Sequence, residues 1–303
     1  MDSNFDETVL HLAYELTNFE EIAKYLTPRR QDIPRLDGID MFGGSLPLNG
    51  SVGGDHLIFI DFKRRFDLDA RIARCSNEGR VDLVENLKRC QHTAAVALMD
   101  VSGHRLTDAF IAAMLHQAFL LGAIYELDIF GRVTKRLFEN LNTRFYESSS
   151  DHKFVSLMYG EIGEDASFTF LSAAQPFPVV FSQEYDRIVD TQPELWPSYP
   201  PLGMLPSRQV TERNQTTSVM GWKDDYTMNR WVLQGAGDIL LLPTDGLIDH
   251  HNGDDYYYPG HLEQKLRSVK DQTAEEIFSA ITTDLLTFGT PSDDISLVVI
   301  KAT

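Results

Sequence analysis

Ala94-Ala95-Val96-Ala97-Leu98-Met99-Asp100-Val101-Ser102-Gly103-His104 is the stretch from which the fold of this chain can be read. An unbroken apolar run ended by a turn signal makes a strand buried on both faces. That strand delivers a carboxylate, Asp100, to its end. Three other acidic motifs stand in the same situation. Gly53-Gly54-Asp55 precedes an apolar run, Thr244-Asp245-Gly246-Leu247 follows one, and Ser292-Asp293-Asp294-Ile295 opens the last. Carboxylates at strand ends, flanked by glycines, suit a hard divalent cation that takes oxygen ligands and close backbone approach. Two such ions ~3.5–4 Å apart cleave phosphate esters by activating water and clamping the reacting oxygens.

The elements around these motifs set the fold class. Residues 6–26 carry Val9, Leu12, Leu16, Phe19, Ile22 and Ala23 on one helical face, and Pro28 ends the helix. Strands are expected at 55–62, 94–99, 154–162, 167–173, 239–243 and 295–300, the third and fourth joined by a turn at Gly163-Glu164-Asp165. Helices are expected over 67–90 with a break at Asn77-Glu78-Gly79, over 106–125, 130–147, 260–269 and 273–288. The 106–125 helix is apolar nearly all round and should be buried. Residues 183–230, with five prolines and little periodicity, read as an insertion or flap. Strands that run directly into one another, without a regular βαβ rhythm, indicate an α+β fold of packed antiparallel sheets flanked by helices.

Composition narrows the function. The 303 residues carry a formal charge of −18, which argues against nucleic-acid binding. A phosphoprotein substrate stays open, because bound cations reverse the local field. No run approaches the ~20 apolar residues that span a bilayer, and the acidic N-terminus lacks the signal-peptide pattern. The chain reads as cytoplasmic, with no membrane partner. Cys75 and Cys90 are read as inert free thiols, and no Cys/His group has zinc spacing.

The four motifs, in this order, resemble those of the metal-dependent protein serine/threonine phosphatases (the PPM family) in their bacterial SpoIIE/RsbU-like branch, over about residues 40–303. The resemblance implies an α-β-β-α sandwich, with residues 1–40 as a helical N-terminal extension or linker and 41–303 as the phosphatase domain. It implies two Mn²⁺ or Mg²⁺ ions, consistent with oxygen-only ligands. By its pattern Asp100 bridges both ions, the Val101 carbonyl binds one, and Asp55, Asp245 and Asp293 complete the set. Asp294 is the alternative to Asp293, because neighbours entering a strand face opposite ways. His104 matches a histidine placed to donate a proton to the leaving oxygen or to hold a water; the other reading has it capping the next helix. Where the family often has an Asp three residues after Asp55, this chain has Ile58. Arg105, Ala174 and Gln175 also depart, standing where the family has Gly, Gly and His. Arg105 is a candidate phosphate contact.

The implied activity is hydrolysis of phosphoserine or phosphothreonine by a metal-activated water. The implied substrate is a phosphorylated regulatory protein of the STAS or anti-anti-sigma type, in a partner switch controlling sigma factors. The alternatives are a pseudophosphatase that binds such a partner, or a hydrolase of small phosphoesters. The first helix is a candidate dimerisation element.

Overall fold

The computed structural model describes residues 2–48, 53–103, 106–148, 153–208 and 220–303. Helix α1 (Asp2–Lys24) leads into strands β1 (Ile39–Leu46) and β2 (Asp55–Asp61), then helices α2 (Phe62–Arg65), α3 (Leu68–Asn77) and α4 (Val81–Cys90). Strand β3 (Thr93–Val101) is followed by α5 (Leu106–Phe130) and α6 (Lys135–Ser148). Strands β4 (Val155–Gly163), β5 (Ser167–Ala173), β6 (Val179–Ser182), β7 (Arg187–Val189), β8 (Asn229–Val232) and β9 (Ile239–Pro243) come next. Helix α7 (Asp245–Ile248), the hairpin β10 (His251–Asn252) and β11 (Asp255–Tyr256), helices α8 (Leu262–Val269) and α9 (Ala274–Phe288), and β12 (Ile295–Ala302) close the chain.

Two five-stranded antiparallel sheets are stacked, one in the order β1-β12-β9-β6-β7 and the other β2-β3-β4-β5-β8. Period-two alternation sorts the side chains into three apolar layers. Leu57, Phe59, Val96 and Leu98 face Leu240, Leu242, Val298 and Ile300 between the sheets. Ile58, Ile60, Ala95 and Ala97 point outward under α5 and α6, while Ile239, Leu241, Leu297 and Val299 point outward under α8 and α9. This is the α-β-β-α sandwich expected of the sequence.

Several boundaries differ from the reading. Strand β1 lacks an apolar signature because Gly43 is needed there: a Cβ would lie 2.8 Å from the Leu297 carbonyl of β12. Helix α5 runs on to Phe130 and stops at Gly131 (φ 70°). It is not buried all round. Phe110 (54% exposed) and Met114 (56%) form an outward apolar face, while Phe119, Ala123 and Leu127 are buried against β2 and β3. By length and composition α5 is also long and apolar enough to cross a membrane, a test that the core helix of a globular domain passes as well. Cys75 and Cys90 are buried, and burial pushes the Cys90 thiol up to about 12, so it is inert.

Candidate metal-dependent hydrolytic site

Strand β2 begins where β3 ends, and β9 ends where β12 begins, all at one end of the sandwich. Asp55 and Asp100 are direct cross-strand partners. Both share parity with the inner-facing residues of their strands, so both belong to the gap between the sheets. Asp55 is 8% exposed. Its pKa is raised well above the ordinary 3.8, first by burial and next by the charge of Asp100, with Asp294 adding less.

The opposing sheet supports this pair. Thr244 donates its hydroxyl to Asp55 Oδ2 (2.9 Å), and its Oγ1 accepts from the Ser296 amide (2.9 Å). Asp294, 2% exposed, accepts from the Leu48 amide (2.6 Å) and the Gly54 amide (2.7 Å). A Cβ on Gly53 would sit 2.2 Å from the Asp294 carboxylate, so only glycine allows this clamp. Gly54 likewise brings the backbone to the Val101 and Gly103 carbonyls, 2.7 and 2.6 Å from where its Cβ would be. Asp245 is exposed at the first turn of α7, and its Oδ1 accepts from the Gly246 amide (3.0 Å). Gly246 lies against the Asp294 carbonyl, where a Cβ would come within 2.0 Å.

The loop after Asp100 is held by the two residues just before β4. Lys153 is ion-paired with buried Asp108 of α5 and donates to the Ser102 carbonyl (2.7 Å). The Ser102 amide bonds the Phe154 carbonyl (3.1 Å). On the outer side of β2, His56 Nε2 meets His116 Nδ1 of α5 at 2.6 Å. Burial lowers both rings, to about 3 and about 4, so both are neutral near pH 7. A cavity of about 270 Å³ opens beside Asp55 and Gly53, walled by the end of α1 and by Ala109 and Ala112 of α5.

The structure thus brings Asp55, Asp100, Val101 and Asp294 together, with Asp245 and Asp293 beside Asp294. His104 and Arg105 lie outside the described residues. Ile58 is a core residue at 2% exposure and offers no ligand. Among the described residues, no three His, Cys, Asp or Glu side chains close on one point as a finished metal cage. The donor set still fits a hard cation: an all-oxygen cluster holds two facing carboxylates, one of them buried with no ion pair among the described residues. Thr244, Ser156, Asp108 and Lys153 were not picked out from sequence. Thr244 opens one of the motifs, but its partner Asp55 lies 189 residues away.

The family model for stage II sporulation protein E (SpoIIE) matches residues 91–303. No curated protein matches the sequence. Among solved structures, the SiaA PP2C domain of Pseudomonas aeruginosa superposes with TM-score 0.64 at 14% identity, covering 99% of both chains. The RsbU and RsbW domains of Rv1364c from Mycobacterium tuberculosis give 0.61 at 18% identity, covering 89% of this chain and 61% of that one. The PP2C phosphatase domain of Bacillus subtilis SpoIIE, with a fragment of its regulatory domain, gives 0.59 at 15%, covering 88% and 64%. The chain therefore spans about three fifths of the latter two.

Proposed function

The chain belongs to the SpoIIE family, and we propose that it is a Mn²⁺- or Mg²⁺-dependent phosphatase acting on phosphoserine or phosphothreonine in a regulatory protein of the anti-anti-sigma type. The observation that carries this reading is the meeting of four strand ends around Asp55 and Asp100. Asp55, Asp100, Asp245, Asp293 and the Val101 carbonyl would hold two ions. When bound, the ions activate a water and offset the charge on the phosphoryl oxygens.

The protein's part is to hold those oxygens still. Thr244 fixes one oxygen of Asp55, and Lys153 fixes the loop that carries the Val101 carbonyl. Asp294 is consumed by two backbone amides, while the Asp293 carboxylate accepts from the Asp294 amide (2.6 Å) at a half-buried position. That division favours Asp293 as the ligand and Asp294 as the clamp. His104 is proposed to protonate the leaving oxygen. Manganese-dependent cleavage of p-nitrophenyl phosphate tests the reading, and a phosphopeptide preference separates it from small-ester hydrolysis. Metal-loaded protein inert towards both would instead support a binding module.

Residues 183–230 are proposed as the substrate-reading flap. Leu202 bridges Val155 and Tyr199 bridges Ala173, which brings the segment beside the Ser102 loop. Its aromatics divide in two. Trp196 packs edge-on against Phe170, Phe177 and Trp231, and Tyr226 is fully buried, whereas Trp222 is 39% exposed. Trp222→Ala is expected to weaken turnover of the phosphoprotein and spare p-nitrophenyl phosphate. Trp196→Ala should instead cost about 2 kcal/mol of stability, below the range for a fully buried Trp. Thermal melts beside the two assays check this, and equal losses on both substrates for Trp222→Ala would reject the flap.

Near its end helix α1 meets α5, where Phe19 lies 6.4 Å from Phe110. Val9, Leu10, Leu12 and Leu16 remain exposed. Removing residues 1–27 is expected to leave an active domain and to convert a dimer to a monomer, measured by light scattering. An unchanged mass would assign α1 to its own domain only.

A further inference from the structure

We propose that Gln175 is a positioning residue that orients the Asp100 carboxylate through the hydroxyl of Ser156. The proposal deepens the metal-dependent reading above and rests on it.

Ser156 lies directly opposite Asp100 in the β3–β4 ladder. Its Oγ reaches the Asp100 carbonyl (3.3 Å) and Asp100 Oδ2 (3.5 Å). Gln175, 4% exposed, donates from Nε2 to the same Ser156 Oγ (2.9 Å). The direction of this chain follows from the groups themselves. The Asp100 carbonyl and its ionised carboxylate both only accept, so the one Ser156 proton goes to Asp100 and is shared between these two oxygens. The Ser156 oxygen is then left as an acceptor and takes the amide N–H. That orientation leaves Gln175 Oε1 without a hydrogen-bond partner, so the donor contact is kept at the expense of the other end of the amide.

The backbone is arranged to the same end. Ala174 takes φ 61°, a left-handed conformation that a residue with a Cβ seldom adopts. The Ser172 hydroxyl closes the turn onto the Gln175 carbonyl (2.7 Å), and Ala174 bridges Leu157, the neighbour of Ser156. An unfavourable backbone held by its surroundings, aiming a buried amide at a site residue, points to function rather than to packing. Partners behind a metal ligand typically contribute 10–100-fold to affinity, and the long Ser156–Asp100 contact places this one at the lower end.

Calorimetric titration of the metal-free full chain with Mn²⁺ tests the inference. Gln175→Leu and Ser156→Ala are each expected to raise the Mn²⁺ Kd about tenfold. The double variant should be no weaker than the worse single, because both break one chain. Activity on p-nitrophenyl phosphate should fall at limiting Mn²⁺ and recover at saturation, with KM for the ester unchanged. Gln175→Met gives the same readout if the leucine variant does not fold. An unchanged Kd in the Gln175 variants, or losses that multiply to about a hundredfold in the double variant, would overturn the proposal while leaving the metal reading in place. Wild-type protein that takes up no Mn²⁺ would overturn both.

Discussion

Asp100→Asn and Asp245→Asn are each expected to lower manganese-dependent phosphatase activity by at least about 100-fold while the protein stays folded. Asp100 faces Asp55 across the ladder, and Asp245 stands at the α7 turn just before Gly246, which packs against the Asp294 carbonyl. Losing either carboxylate removes negative charge from a site built to hold positive ions. The metal-free protein should respond in the opposite sense. Asp55 has its pKa raised, so the stability it contributes is complete below the ordinary value of 3.8 and is lost as pH rises towards its folded pKa. Burial is the first cause, the Asp100 charge the second, and the Thr244 and Ser296 hydrogen bonds oppose them. Asp100→Asn removes the second cause. The metal-free variant should therefore melt above metal-free wild type near pH 7, and the gap should narrow towards pH 4. Turnover near wild type with unchanged metal dependence would sink the assignment, and a melting point that does not move would sink the electrostatic account.

These carboxylates were legible because each sits beside an apolar run, but an unbroken run does not show which face its residues take. Once the structure sets Leu57 and Phe59, and Val96 and Leu98, as inner-facing, Asp55 and Asp100 follow by parity. The same reasoning sets Asp293 and Asp294 on opposite faces but does not reveal the Asp294 clamp. Its partners are backbone amides at Leu48 and Gly54, 246 and 240 residues away. Strand β1 was lost for another reason. Gly43 answers to the close approach of β12 and Gly44 to the Phe278 ring of α9, and glycine lowers every local strand signal. The outward face of α5 was misjudged because uniform apolarity shows no period, so composition alone did not tell buried from exposed. Ala174 and Gln175 were legible as departures from a family pattern, but the bond to Ser156 was not. Pairings across turns and sheets are set by tertiary geometry, which periodicity does not encode.

Glu139→Ala is expected to destabilise the protein by about 3–5 kcal/mol, the scale for removing one partner of a buried ion pair. Glu139, on α6, accepts from Lys223 Nζ (2.7 Å) and from the Tyr226 amide (2.7 Å). Lys223 is 3% exposed, and its ammonium lies 3.4 Å from the centre of the Tyr226 ring. One turn further along α6, Asn142 bonds the Leu205 carbonyl (2.9 Å) and accepts from the Gly203 amide (3.1 Å). Two residues on one helical face therefore pin both flanks of the segment between 208 and 220. Without Glu139 the lysine is left as a buried, unpaired charge. Burial already lowers the Lys223 pKa from 10.5, with Glu139 working against that shift. A base with a depressed folded pKa destabilises the protein at pH values where the unfolded chain is charged, and the penalty fades as pH rises towards 10.5. The deficit of Glu139→Ala, read from urea unfolding midpoints, should thus shrink from pH 7 to pH 10. The Glu139→Gln, Lys223→Met double variant, which buries no charge, should lose less than Glu139→Ala alone. A loss below about 1 kcal/mol at pH 7, the scale of an exposed pair, would mean the pair is solvated and the flap is anchored elsewhere.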